Sequence, residues 1–141
     1  MAKISTKARV ARETRWLYRV EWKILNLNRE AVKDRKIGYL RTLAQEVWAN
    51  EAPGGRTMPT ILASKGIKYS RGWYSYCEGF TKIVLSRRQR SIMVLLHELT
   101  HALGPCIHGK RFVTLYFYLL HKYAGYNRFF LQHLQENSPA K

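Results

Sequence analysis

Ile92, Leu95, Leu96, Leu99 and Leu103 recur at helical spacing in the second half of this 141-residue chain. Only an α-helix puts these positions on one side, and Gly104-Pro105 directly after them is a stop signal. Ser86 precedes Gln89 by three residues, the Ser-x-x-Gln pattern of a capping box, so a helix start is expected there. A stripe this apolar has to face a core. It takes His97, Glu98 and His101 inward with it, and buried imidazoles and carboxylates need partners.

The spacing of those polar residues suggests what the partner is. His97-Glu98-Leu99-Thr100-His101 is an H-E-x-x-H pattern. Histidines four apart leave a helix on one face and can reach a single metal ion, whereas Glu98, turned about 100° around the axis, can meet a water held by that ion. Zinc would lower the pKa of the water towards about 7, and the glutamate would take its proton as general base. Catalytic zinc usually has three protein ligands. Gly104 lets the chain turn, and His108 follows His101 by seven residues, so His108 is expected as the third ligand. Cys106 competes at similar reach, because thiolate binds zinc well, and His121 and His133 are more distant candidates. The plainer alternative is a core helix whose histidines merely find hydrogen-bond partners. In the metzincin pattern the third histidine would fall at Ile107, so that spacing is excluded.

Around this helix the chain alternates between helical and β-like patterns. Leu17, Val20, Ile24 and Leu27 on one face, with Arg12, Arg15, Arg19 and Lys23 on another, predict a basic amphipathic helix from about Lys7 to Asn26. Ile37, Leu40, Leu43, Ala44, Val47 and Trp48 predict a second, stopped by Pro53-Gly54-Gly55. Short runs at Thr60–Ala63, Trp73–Cys77 and Thr81–Ser86, punctuated by Gly66, Gly72 and Gly79, read as strands. An aromatic-rich helix is expected from Gly109 to about Tyr123. The fold class is therefore α+β: a small sheet of about three strands, the H-E-x-x-H helix and flanking helices. Residues 1–28 are expected as a basic amphipathic helix or arm, 29–130 as the domain and 131–141 as a polar C-terminal tail.

His97-Glu98-Leu99-Thr100-His101 followed by His108-Gly109-Lys110-Arg111-Phe112 resembles the H-E-x-x-H…H-G-x-x-F signature of the SprT-like zincin metallopeptidases, the Spartan relatives. The resemblance covers roughly Ile37 to Tyr126, and its interval from His101 to His108 is much shorter than in Spartan, closer to the compact forms of small bacterial and phage proteins. It implies a minimal zincin-like domain with His97, His101 and His108 as zinc ligands and Glu98 as catalytic residue. Members of the family act on proteins, in several cases proteins attached to DNA, so a protein or peptide substrate is expected. A non-catalytic, zinc-stabilised module in a nucleoprotein particle such as a phage virion is the alternative.

Two further elements have open roles. Lys82–Ser86 is either an edge strand on which a substrate backbone pairs or an ordinary strand feeding the helix. Tyr116, Tyr118 and Tyr123 each carry a phenol able to stabilise an oxyanion, although such a helix more commonly serves packing.

Composition bounds the rest. Hydrophobic residues at 46% supply a core and exclude a wholly disordered chain. The longest apolar run, Leu115–Leu120, is far short of the roughly 20 residues a bilayer needs, so no transmembrane segment is expected. Met1–Lys7 lead into charge rather than an apolar signal. Cys77 and Cys106 are too few for a disulfide framework and are expected as small buried residues in a reducing, intracellular setting. A cytoplasmic or nucleoid-associated place, or a virion, would suit the net charge of +16. Residues 1–41 hold 12 Lys and Arg against 4 Asp and Glu, half of that excess in under a third of the chain. Arg9, Arg12, Arg15, Arg19 and Lys23, with Trp16 and Tyr18 between them, could bind DNA or RNA without sequence preference, or lie on an anionic membrane surface. A solvated face of a helix packed on the domain is the simpler reading.

Overall fold

The computed structural model describes residues 5–69 and 72–140. Met1–Ile4, on which part of the argument against a secretory signal falls, and Lys141 lie outside the described residues. Six helices and five short strands follow one another: α1 (Thr6–Lys23), α2 (Arg29–Val32), α3 (Ile37–Glu51), β1 (Thr60–Ser64), β2 (Ile67–Tyr69), β3 (Gly72–Tyr74), β4 (Tyr76–Glu78), β5 (Lys82–Ser86), α4 (Ile92–Leu103), α5 (Lys110–Ala124) and α6 (Arg128–Glu136). The architecture is α+β.

The main sheet has three strands in the order β1-β5-β4, with β5 parallel to β1 (Thr60 opposite Lys82) and antiparallel to β4 (Cys77 opposite Ile83). Its middle strand is the apolar run Ile83-Val84-Leu85, buried on both faces as an interior strand should be. The edge-strand role considered for Lys82–Ser86 is therefore excluded: both of its sides are already paired. The open edge is β4, which pairs with no second strand among the described residues. The other edge is partly covered by α3, whose Arg41 Nε donates to the Ile61 carbonyl at 3.0 Å. β2 and β3 pair antiparallel as a separate two-stranded sheet.

The expected strand Trp73–Cys77 is divided at Ser75. Its N–H and hydroxyl both donate to Gln89 Oε1 (2.7 and 2.9 Å), and its Oγ accepts from Ser86 N–H at 2.8 Å. Gln89 is thus spent on the sheet, and the Ser86–Gln89 capping box is not formed. Arg88 takes a left-handed conformation (φ 73°), which breaks the chain direction, and Ser91 caps α4 instead, accepting from Val94 N–H at 3.2 Å.

One core joins all the long helices to the sheet. From α1 and the 3-10 turn after it come Leu17, Val20 and Leu25, and from α4 Leu95, Leu96 and Leu99. Over the described part of residues 1–28 the expected amphipathic helix is present, and its apolar stripe makes α1 a wall of the core. Its stripe departs from expectation at the end, because the helix tightens after Lys23 and turns Leu25 inward, leaving Leu27 78% exposed. The C-terminal segment also packs on the core. Asn127 caps α6 by accepting from Phe130 N–H, and Leu131, Leu134, Ser138 and Ala140 are buried, so residues 131–140 are docked. Among the described residues no helix is long and apolar enough to cross a membrane.

Candidate metal centre

The site is built from α4, the loop after it and α1. α4 is held at both ends, by the Ser91 cap and by Arg56, whose guanidinium donates to the Ala102 and Leu103 carbonyls at 2.7 and 3.3 Å. Gly104 (φ 150°) then reverses the chain and the loop returns His108 to the helix. His97, His101 and His108 lie together with a ligand atom from each within 4.8 Å of the others, and could hold a metal ion. Cys106 is exposed and outside this group, its thiol directed to the Gly104 carbonyl, so the reach that made it a competitor is not used. His121 meets the Tyr126 carbonyl instead, at 2.8 Å, and His133 is exposed on α6.

The nitrogens facing one another are all Nε2. His108 Nε2 is 3.2 Å from His97 Nε2 and 3.2 Å from His101 Nε2. A tetrahedral zinc with bonds of about 2.0–2.1 Å separates its ligand nitrogens by about 3.3–3.4 Å, so these two separations are close to what such an ion requires, and the third pair lies within 4.8 Å. The outer nitrogens are all occupied: His97 Nδ1 is 2.8 Å from Glu21 Oε2, His101 Nδ1 is 2.9 Å from the Pro105 carbonyl, and His108 Nδ1 is 3.0 Å from Thr14 Oγ1. A carbonyl and a carboxylate only accept, so His97 and His101 carry protons on Nδ1, and their Nε2 lone pairs converge when the rings are neutral. A proton on one Nε2 serves one of the 3.2 Å contacts well; a metal ion serves all three rings.

Without a metal ion the three rings share one proton, which His97 holds. Burial opposes a charge on His97, but the Glu21 carboxylate and its hydrogen bond outweigh this and raise its pKa to about 9. Burial and then the charge on His97 push His101 down to about 4, and the same causes, with His101 added, push His108 to about 3. The cluster accepts one positive charge readily and resists a second proton. Glu98, buried beside it, is held above the usual carboxylate range by burial, partly offset by His97. Its charge is also felt by Cys77 on the open strand β4, whose thiol is pushed up to about 12 by burial and then by Glu98. Cys77 is half-buried and, like Cys106, a free thiol.

None of the three tyrosines weighed for an oxyanion has its phenol proton at hand. Tyr116 OH donates to Glu21 Oε2 (2.7 Å), behind His97, and Tyr118 and Tyr123 donate to Glu51 Oε1 at 3.1 and 2.9 Å. Carboxylates on neighbouring elements claim them. Sequence reasoning missed Glu21 and Thr14. A signal was present: Thr14 and Glu21 are seven residues apart on the flank of the Leu17–Val20 stripe, where an acidic residue is out of keeping with so basic a helix.

The basic residues of α1 divide among different surroundings. Arg9 faces the buried Glu13 at 3.7 Å and Lys23 ends the helix. Arg12, Arg15 and Arg19 line a groove of about 560 Å³ with Trp16, closed on its other side by Asn137, Ser138 and Pro139. The three guanidinium groups make no hydrogen bond or ion pair among the described residues. Searches of protein-family models, of curated proteins and of solved structures find no match to this chain.

Proposed function

We propose that the protein is a zinc-dependent peptidase. The observation that carries this reading is the approach of His108 Nε2 to within 3.2 Å of both His97 Nε2 and His101 Nε2, with the buried Glu98 on the same helix. The resemblance to the SprT-like zincins adds to it. A zinc ion held by His97, His101 and His108 would supply a Lewis acid for the scissile carbonyl and make a water more acidic. Glu98 would accept that water's proton and return it to the departing amine, a role for which a carboxyl held above its usual range is suited. The open edge of β4 would take an extended peptide as an added strand, with Cys77 and Glu98 alongside.

A second part of the reading concerns location. The groove of Arg12, Arg15, Arg19 and Trp16 would hold a single-stranded DNA or RNA, its phosphates on the guanidinium groups and a base against the indole, without reading sequence. Substrates would then be proteins associated with nucleic acid.

Glu98→Gln tests the chemistry. The variant should fold and bind one zinc per chain as the wild type does, yet lose at least about 100-fold in peptide turnover, the scale of a lost general base. Equal turnover by the two proteins on a broad set of protein substrates, with and without DNA, would refute the peptidase.

A further inference from the structure

We propose that Glu21 and Thr14 of α1 are positioning residues of the metal centre, and that they set its affinity for zinc. The inference rests on the reading of the three histidines as ligands. His101 is anchored by its own loop through the Pro105 carbonyl, but the other two rings are held from α1. Glu21 Oε2 accepts from both His97 Nδ1 (2.8 Å) and Tyr116 OH (2.7 Å), so this chain of hydrogen bonds has one direction. The phenol donates, the imidazole donates, and the His97 lone pair is left on Nε2. Thr14 completes the set. A hydroxyl can donate or accept, and with His108 Nε2 on a metal the ring proton sits on Nδ1 and is donated to Thr14 Oγ1.

The stripe is continuous. Between Thr14 and Glu21 the ring of Tyr18 stacks near His97, centroids 6.2 Å apart, and meets His108 edge-on at 5.5 Å. Thr14, Tyr18 and Glu21 are spaced by four and three residues, one face of the helix. A packing role would be met more cheaply by an apolar residue at position 21, because the side chain is 12% exposed and a carboxylate is costly to bury. Opposite a histidine that carries a dication, the same carboxylate is an asset: it fixes the tautomer, raises the basicity of the ligand and offsets the charge. The segment that reads in sequence as a basic arm is, by this argument, part of the metal site.

The test measures zinc affinity of the full chain by competition with a chromogenic chelator, for wild type, Glu21→Ala, Glu21→Gln and Thr14→Val. Metal-free thermal midpoints and cobalt(II) absorption spectra are recorded alongside. Glu21→Ala should weaken zinc by about 10–100-fold, Glu21→Gln and Thr14→Val by less, with a changed cobalt spectrum in each. Glu21→Gln and Thr14→Val keep side-chain size, so their metal-free midpoints should stay near wild type and they decide the matter if Glu21→Ala does not fold. A merely structural role would move the midpoints and leave the affinities. A wild type that binds one zinc, with affinities unchanged in Glu21→Gln and Thr14→Val, overturns the inference alone; a wild type that binds none overturns the ligand reading and the inference with it.

Discussion

Helix α1 borders two regions that are built on opposite principles. On its inner face Thr14 meets His108 Nδ1 at 3.0 Å and Glu21 meets His97 Nδ1 and Tyr116 OH at 2.8 and 2.7 Å, and the other nitrogens of both histidines face one another. On its outer face Arg12, Arg15 and Arg19 stand exposed along a groove with no partner among the described residues. On the reading proposed above, the inner face would pre-order a place for one small cation, where a displacement of a few tenths of an ångström matters. The outer face would, on the same reading, take an extended anion in many registers, where charge matters and position does not. Buried interactions are little screened by salt and exposed ones strongly, so the two regions should separate in experiment.

The largest effect should come from His108→Ala, which removes one of the three converging nitrogens. Stoichiometric zinc should be lost, as metal analysis after gel filtration would show; full zinc occupancy would dissolve the contrast. Replacing Arg12, Arg15 and Arg19 together by Ser comes next. It should weaken single-stranded DNA binding at low salt and reduce the slope of log affinity against log salt by about 2, while zinc content stays at the wild-type value. A flat salt response in the wild type would remove the groove from the nucleic-acid reading. Gly104→Ala should cost about 1–3 kcal/mol in chemical denaturation, since φ 150° is strained for any residue with a Cβ and the turn returns His108 to α4. Cys106→Ser should be the smallest: zinc affinity within about twofold of wild type, because the exposed thiol takes no part in the cluster.

The elements with long periodic patterns were legible. α3, α4 and α5 lie close to where their apolar spacing placed them, and the three-stranded sheet was foreseen in size. The errors share a cause. Gln89 bonds with Ser75, fourteen residues away, and so could not serve the local cap that its spacing implied. Lys82–Ser86 looked the same as an edge or a middle strand because alternation says nothing of how many neighbours a strand has. Leu131 and Leu134 sat in a stretch judged by its polar average, and only their three-residue spacing hinted at α6.

The candidate site divides along the same line. His97, Glu98 and His101 share one helix, and a helix is a local object whose geometry follows from 3.6 residues per turn, so their relation could be read from the sequence alone. The proximity of His108 followed from a short loop and a glycine. What holds those rings lies 76 and 94 residues away in the chain, on α1, and the residues that close the arginine groove lie at the opposite terminus. No periodicity encodes such distances. They are decided when burial of Leu17, Val20 and Leu25 presses α1 onto the core, bringing an inward glutamate against a histidine that sequence could place on a helix but could not orient.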